Sequence, residues 1–358
     1  DGGFTLSQDM YYYNLNTIHC EKWARSKIVT YATYLTTTPQ AIRDDTMLPL
    51  LMNAGWHLSY FGDKKFIKNK LHNFGHQEYN TALYTNEDYI EHMMNNNKDL
   101  FQRTYVPINY IAIEDNTYLP PLFNTYLRNY VKHVHLPTTP IYVYFHICCI
   151  NNWEEIVSRL MFKLKNSGLY HIVREIKCIV LGNYTNSTLF ADPKVEIVYH
   201  SLDLSLHEKQ TINILYNDCI NATEEFHVLY LHSKGVKHFN NFKTEKNVSD
   251  WTDYLAYFNI YQYNLCLSML SDCDAVGVNL QQSVDEYIPL HYSGNFWWSK
   301  SSHICKLTLI HDANYYSPEF WITTLTSGVY KSLWNSNTHH YNTPYPYYEY
   351  ENKPIESK

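Results

Sequence analysis

From residue 141 onward the chain alternates between short apolar runs and amphipathic stretches, and this alternation restricts the fold more than any other feature. Residues 141–150 are almost continuously apolar and rich in β-branched and aromatic side chains, as a strand buried on both faces requires. Asn151 or Asn152 then caps a predicted helix. Glu154 and Glu155 suit its positive end, Ile156, Leu160 and Leu164 recur at intervals of four, and Gly168 ends it. Further strands are expected over 176–181, 195–199, 226–231 and 275–280, with helical patterns over 208–219 and 250–270. Strands alternating with helices imply parallel pairing, a layered α/β sheet and ligands at the carboxyl ends of the strands.

The 358 residues suit two domains, and a 45% hydrophobic content supplies a core for each. Prolines at 120, 121, 137 and 140 discourage continuous helix, so the boundary is expected near 138, giving domains 1–137 and 138–358. A net charge of -7 without a Lys/Arg cluster argues against nucleic acid or an anionic membrane as partner. No apolar run reaches the length of a transmembrane helix and no signal peptide is visible, although the sequence begins at Asp1. The eight cysteines show no CxxC spacing, and Cys148 and Cys149 lie in an apolar run, which favours a reducing, cytoplasmic compartment. Sequons at Asn183, Asn186, Asn221 and Asn247 point the other way, but an Asn-rich chain produces such triplets by chance. The 35 tyrosines suit sugar stacking, and are equally explained by biased coding.

In the front domain, Trp56, His57, His76 and Glu78 stand among aromatics and cations, the composition of a sugar-handling surface. A histidine in such a segment is more often a packing residue than a ligand. Glu78, two residues from His76 in what reads as an extended segment, is expected on the same face. The pattern Asp9-Met10-Tyr11-Tyr12-Tyr13, Trp23, Arg43, Gly55-Trp56-His57, Lys70, Phe74-x-His76-x-Glu78 and Asp99-Leu100-Phe101-x-Arg103 resembles the C-terminal part of glycosyltransferase family 17, the β-1,4-mannosyl-glycoprotein N-acetylglucosaminyltransferases. Leu58 departs from the cysteine that family often has there. The resemblance implies an Asp-x-Asp pair upstream that holds Mn2+ or Mg2+ against a nucleotide diphosphate. No such pair lies between Asp1 and Tyr11, so residues 1–137 read as the back portion of such a domain and are expected to be inactive alone. His57, His76 and Glu78 can complete a hard-cation site but not build one.

In the second domain, the strand over 226–231 runs into His232-Ser233-Lys234-Gly235. A cation and donors at a strand end can neutralise a departing diphosphate without metal, and an ordinary polar turn closed by glycine is the alternative. His291, Gly294, Asn295, Trp297 and Trp298 form a second element. Paired tryptophans after a Gly-Asn turn can stack on a pyranose while His291 and Asn295 read its hydroxyls; core packing competes. Ser317 as N-cap, Pro318 at the first helical position and Glu319 in the first turn mark a helix start. Glu319 either complements the helix dipole or serves as the general base of an inverting transfer. Asp272 and Asp274 are candidates for metal or ribose, against simple solvation.

These elements are similar to a glycosyltransferase type of bacteria and large viruses. The resemblance implies a GT-A-like, Rossmann-related, mostly parallel sheet with flanking helices. It further implies transfer of a hexose or N-acetylhexosamine from a UDP- or GDP-linked sugar to a glycan or glycoprotein. Glu319 is then catalytic, His232, Ser233, Lys234 and Asp274 hold the nucleotide sugar, and the remaining candidates hold sugar or acceptor. A non-catalytic glycan-binding module is the alternative. A glycoside hydrolase needs a second facing carboxylate, for which the sequence offers no clear partner to Glu319.

Overall fold

The structure is a computed structural model that describes residues 3–103, 108–132, 136–185, 187–281, 288–312, 314–351, 353 and 355. It is a mixed α/β protein that divides into two compact units. Unit 1 comprises Asp1–Val134 with Asn166–Gly168; unit 2 comprises His135–Lys165 with Leu169–Lys358. Asn186, one of the four sequon positions, lies outside the described residues.

Unit 1 is built on β1 (Gly3–Tyr12), which pairs antiparallel with β2 (Thr17–His19) and β3 (Trp23–Val29) and parallel with β4 (Leu50–Leu51) and β5 (Trp56–Ser59). β2 also pairs with β6 (Ile108–Tyr110). Two capped helices cover the sheet. Asp63 accepts from the Phe66 amide at the start of Lys64–Asn73, and Asn86 accepts from the Asp88 and Tyr89 amides at the start of Glu87–Asn95. Their inward faces, Ile67, Leu71, Ile90 and Met93, pack with Met10, Tyr12, Leu100 and Phe101. The Asp99-Leu100-Phe101-x-Arg103 motif has a structural role: Arg103 donates to both Asp99 carboxylate oxygens, at 2.6 and 2.9 Å, while Asp99 also takes the Phe101 and Arg103 amides.

Unit 2 centres on a seven-stranded sheet: β7 (Ile141–Cys149), β8 (Glu175–Gly182), β9 (Val195–Ser201), β10 (His227–His232), β11 (Ala275–Gly277), β14 (Trp297–Lys300) and β15 (Tyr330–Ser332), with β12 (Leu280–Gln281) and β13 (His291–Tyr292) forming a separate ribbon. The spatial order is β9-β8-β7-β10-β14-β11-β15. β8 and β9 run to one side of β7 and β10 starts the other side, all parallel. A crevice at the carboxyl ends of β7 and β10 is the expected consequence of that reversal. Alternation along the strands supplies two cores. Val143, Phe145, Leu229 and Leu231 pack against the helices Trp153–Ser167 and Phe242–Ala256; Tyr144, Val228 and Tyr230 pack against the helix Lys209–Asn221.

The sheet is parallel apart from β14, which runs antiparallel between β10 and β11. Two sequence expectations need correction. The strand expected over 275–280 breaks after Gly277, because Asn279 turns to φ +50° and its amide group takes hydrogen bonds from Tyr254 and Ser336. The helical segment expected over 250–270 begins at Phe242 and passes through a π turn, Tyr257–Tyr261. That turn leaves the Asn259 carbonyl to accept from the Trp298 indole at 2.8 Å.

Candidate functional site in unit 2

The switch between β7 and β10 brings His146 and His232 side by side as register partners near the ends of their strands. Between them and the helix that begins at Lys209 lies Glu208. Its Oε2 accepts from the Tyr230 hydroxyl and from the Asn295 side-chain amide, both at 2.8 Å, and its Oε1 stands 3.6 Å from His232 Nδ1. Burial pushes the Glu208 carboxyl upward, but His232, His146 and these hydrogen bonds outweigh it and hold the group below the usual carboxylate range. His146 donates or accepts through Nδ1 with Thr211 at 2.9 Å, and burial pulls its imidazole down to about 4. Burial also lowers His232, against the pull of Glu208. His232 Nε2 donates to the Gly294 carbonyl at 3.0 Å.

Two openings share this cluster. A small pocket of about 100 Å³ is bordered by His146, His207, His232, Lys234, Lys237 and His238, with Glu208 as its carboxylate. Beside it a cleft of about 1160 Å³ is lined by the same Glu208, His232 and Lys234, and by Glu319, His291, Asn295 and Tyr316. Lys234 Nζ lies 3.6 Å from the centre of the Trp251 ring, which also carries His340 stacked at 5.1 Å. Burial lowers the Lys234 ammonium, against the attraction of Glu319 and Glu208. Two polar atoms in this wall, Trp251 Nε1 and His340 Nδ1, are buried without a hydrogen-bond partner among the described residues.

Across the cleft, Glu319 Oε1 accepts from the Gly294 amide at 3.1 Å. Glu319 stands in the helix Ser317–Phe320, which starts one residue earlier than expected: Tyr316 takes the cap position, Pro318 is the second helical residue and Ser317 donates to Asp312. The chain thus collects His232, Lys234, His291, Gly294, Asn295 and Glu319 around one cleft. Ser233 joins only the small pocket, and its hydroxyl is spent on the Cys148 amide at 2.9 Å.

The tryptophan platform is not there. Trp297 and Trp298 are both 0% exposed. As neighbours on β14 they point to opposite faces: Trp297 stacks on Tyr230 and bonds Asn295, while Trp298 bonds the Asn259 carbonyl. Asp274 does not border either opening; it precedes β11, accepts from the Val329 amide and lies 4.0 Å from Lys300. The four front-domain candidates belong to unit 1. Trp56 stacks on Tyr118 and donates to its carbonyl, and His57 stacks on Trp23 at 4.3 Å. His76 and Glu78 do pair, at 2.9 Å, but across a 3₁₀ turn rather than an extended segment, and both are largely exposed.

Residues 178–325 match the model of a domain of unknown function, DUF8361. No curated protein matches the chain. The matched span contains Glu208, His232, Lys234, Gly294, Asn295 and Glu319, and omits His146 and His340. Glu208 and His146 were not singled out in the sequence. His146 carried a signal, a polar residue inside an apolar strand; Glu208, between His207 and Lys209, carried none beyond preceding a helix. Among the described residues no group of three or more His, Cys, Asp or Glu side chains is arranged to hold a metal ion. Nor is any described helix long and apolar enough to cross a membrane.

Proposed function

We propose that unit 2 is a GT-A-like glycosyltransferase that takes a nucleotide sugar as donor and a glycan as acceptor. The observation that carries the reading is the pair of openings joined through Glu208, His232 and Lys234 at the carboxyl ends of β7 and β10. The basic small pocket suits a diphosphate, and the larger cleft suits the sugar and acceptor. A mostly parallel sheet with its site at the switch point supports the same reading.

The chemistry is inverting displacement. The acceptor hydroxyl oxygen attacks the anomeric carbon, the bond from that carbon to the diphosphate oxygen breaks, and the hydroxyl proton passes to Glu319. One Glu319 oxygen is held by the Gly294 amide, which orients the carboxylate and leaves its other oxygen for the acceptor. Glu208 is a poorer base because Tyr230, Asn295 and His232 already satisfy it. Its role is to hold His232 and Asn295 in place. Lys234 and Lys237, which border the small pocket, offset the charge that develops on the leaving diphosphate.

Glu319→Gln should lower turnover by about 10²–10⁴-fold while nucleotide-sugar affinity, measured by calorimetry, stays near wild type. Parallel loss of binding and turnover counts against the assignment. Saturable oligosaccharide binding with no affinity for any UDP- or GDP-sugar would instead favour a glycan-binding module.

A further inference from the structure

We propose that unit 1 carries a separate binding site, an anion-selecting groove for an acidic saccharide. The groove, about 580 Å³, lies between β3 and the short helices Tyr31–Thr36 and Pro39–Asp44. Trp23, Arg25 and Lys27 of β3 all line it, across an irregularity in the pairing of β3 with β1 that falls between Trp23 and Ser26. Arg43 and Tyr34 face them from the helices, with His57 stacked on Trp23 at 4.3 Å and 11° between the rings.

The cations are divided by what they already do. Lys27 is tied to the Thr5 hydroxyl and the Asp45 carbonyl, so it braces the groove. Arg25 and Arg43 are exposed, and neither has a carboxylate within ion-pair distance among the described residues. The two acids next to Arg43 are engaged elsewhere: Asp44 accepts from Gln40 and Asp45 from the Met47 amide. Two free guanidinium forks beside a flat aromatic stack match a pyranose that bears a carboxylate or sulfate. The forks bind the planar or tetrahedral anion and the rings supply apolar contact. A nucleic-acid strand fits less well, since three cations in one groove of a chain with net charge -7 give no track for successive phosphates.

This proposal does not rest on the reading of unit 2. The test is calorimetry on the full chain with tetragalacturonate, a sulfated heparin tetrasaccharide, neutral chitotetraose and oligothymidylate. At least one acidic saccharide should bind, and Arg25→Gln with Arg43→Gln should weaken it by about tenfold or more. Arg25→Lys, which keeps the charge but not the fork, should fall between. Chitotetraose binding, wherever it occurs, and the effect of Glu319→Gln should be unchanged by the double variant. Preference between uronate and sulfate identifies the anion. The proposal is overturned if the double variant binds the acidic probe as wild type does, if it loses acidic and neutral sugars equally, if oligothymidylate is preferred, or if neither acidic saccharide binds.

Discussion

Each unit contains a His–Glu pair, and the two pairs differ in an instructive way. In unit 1, His76 and Glu78 are 2.9 Å apart with side chains 70% and 63% exposed; in unit 2, His232 and Glu208 are 3.6 Å apart with side chains only 13% and 23% exposed. The shorter pair is the weaker one. Water and salt screen it, and ordering two surface side chains offsets most of the attraction. The longer pair sits in a lower dielectric with Tyr230, Asn295 and the Gly294 carbonyl committed around it, so each member depends on the others. Distance alone orders the two pairs one way; burial and the number of committed partners order them the other way.

The largest effect that can break this comparison is Glu208→Ala. It leaves the Tyr230 hydroxyl and the Asn295 amide without their acceptor, at a cost of about 2–4 kcal/mol. Hydrogen-exchange mass spectrometry should record the loss as faster exchange in β7 and β10, with β1 unaffected. Unchanged protection in β10 would mean that the buried network does not order the strand ends.

Acid should separate the units next. His146 and His340 are both lowered to about 4 by burial, below the ordinary value of about 6.5. The unfolded chain therefore takes up those protons first. The stability associated with the neutral rings is present above about pH 6.5 and is lost as pH falls toward 4, by up to about 3 kcal/mol for each ring. Glu208, depressed below its usual range, adds to the loss at lower pH. Unit 1, where His57 is only half-buried, should lose less over the same window. Peptide-resolved exchange at pH 7 and pH 5 checks the order; equal sensitivity of the two units would remove the distinction.

Glu78→Gln should have the smallest effect. Carboxyl and imidazole are both in solvent, so no change in melting temperature is expected at physiological salt. A measurable drop would show that the exposed pair is tied to something beyond the described contacts.

The parts legible in the sequence were those where one physical demand dominates a segment. Residues 141–150 had to be apolar on both faces, and they form a central strand. The Pro318-Glu319 helix start was recognisable because Pro lacks only a donor that the first turn does not need. Trp297 and Trp298 misled because a pair of adjacent indoles looks like a platform, whereas on a strand adjacent side chains part to opposite faces and vanish into two cores. Glu208 was invisible for a different reason. Its importance comes from Tyr230, His232 and Asn295, which lie 22, 24 and 87 positions away in sequence and meet it only when the sheet forms.

Gly294 has a mechanical consequence. Its amide holds Glu319 and its carbonyl holds His232, so one residue is the yoke between the two sides of the cleft. It adopts φ +98°, and a Cβ there would come within 2.7 Å of Leu255, leaving no room for a side chain that might let the backbone settle differently. The helix carrying Glu319 and the end of β10 are thus fastened to successive peptide units, one through the Gly294 amide and the other through its carbonyl.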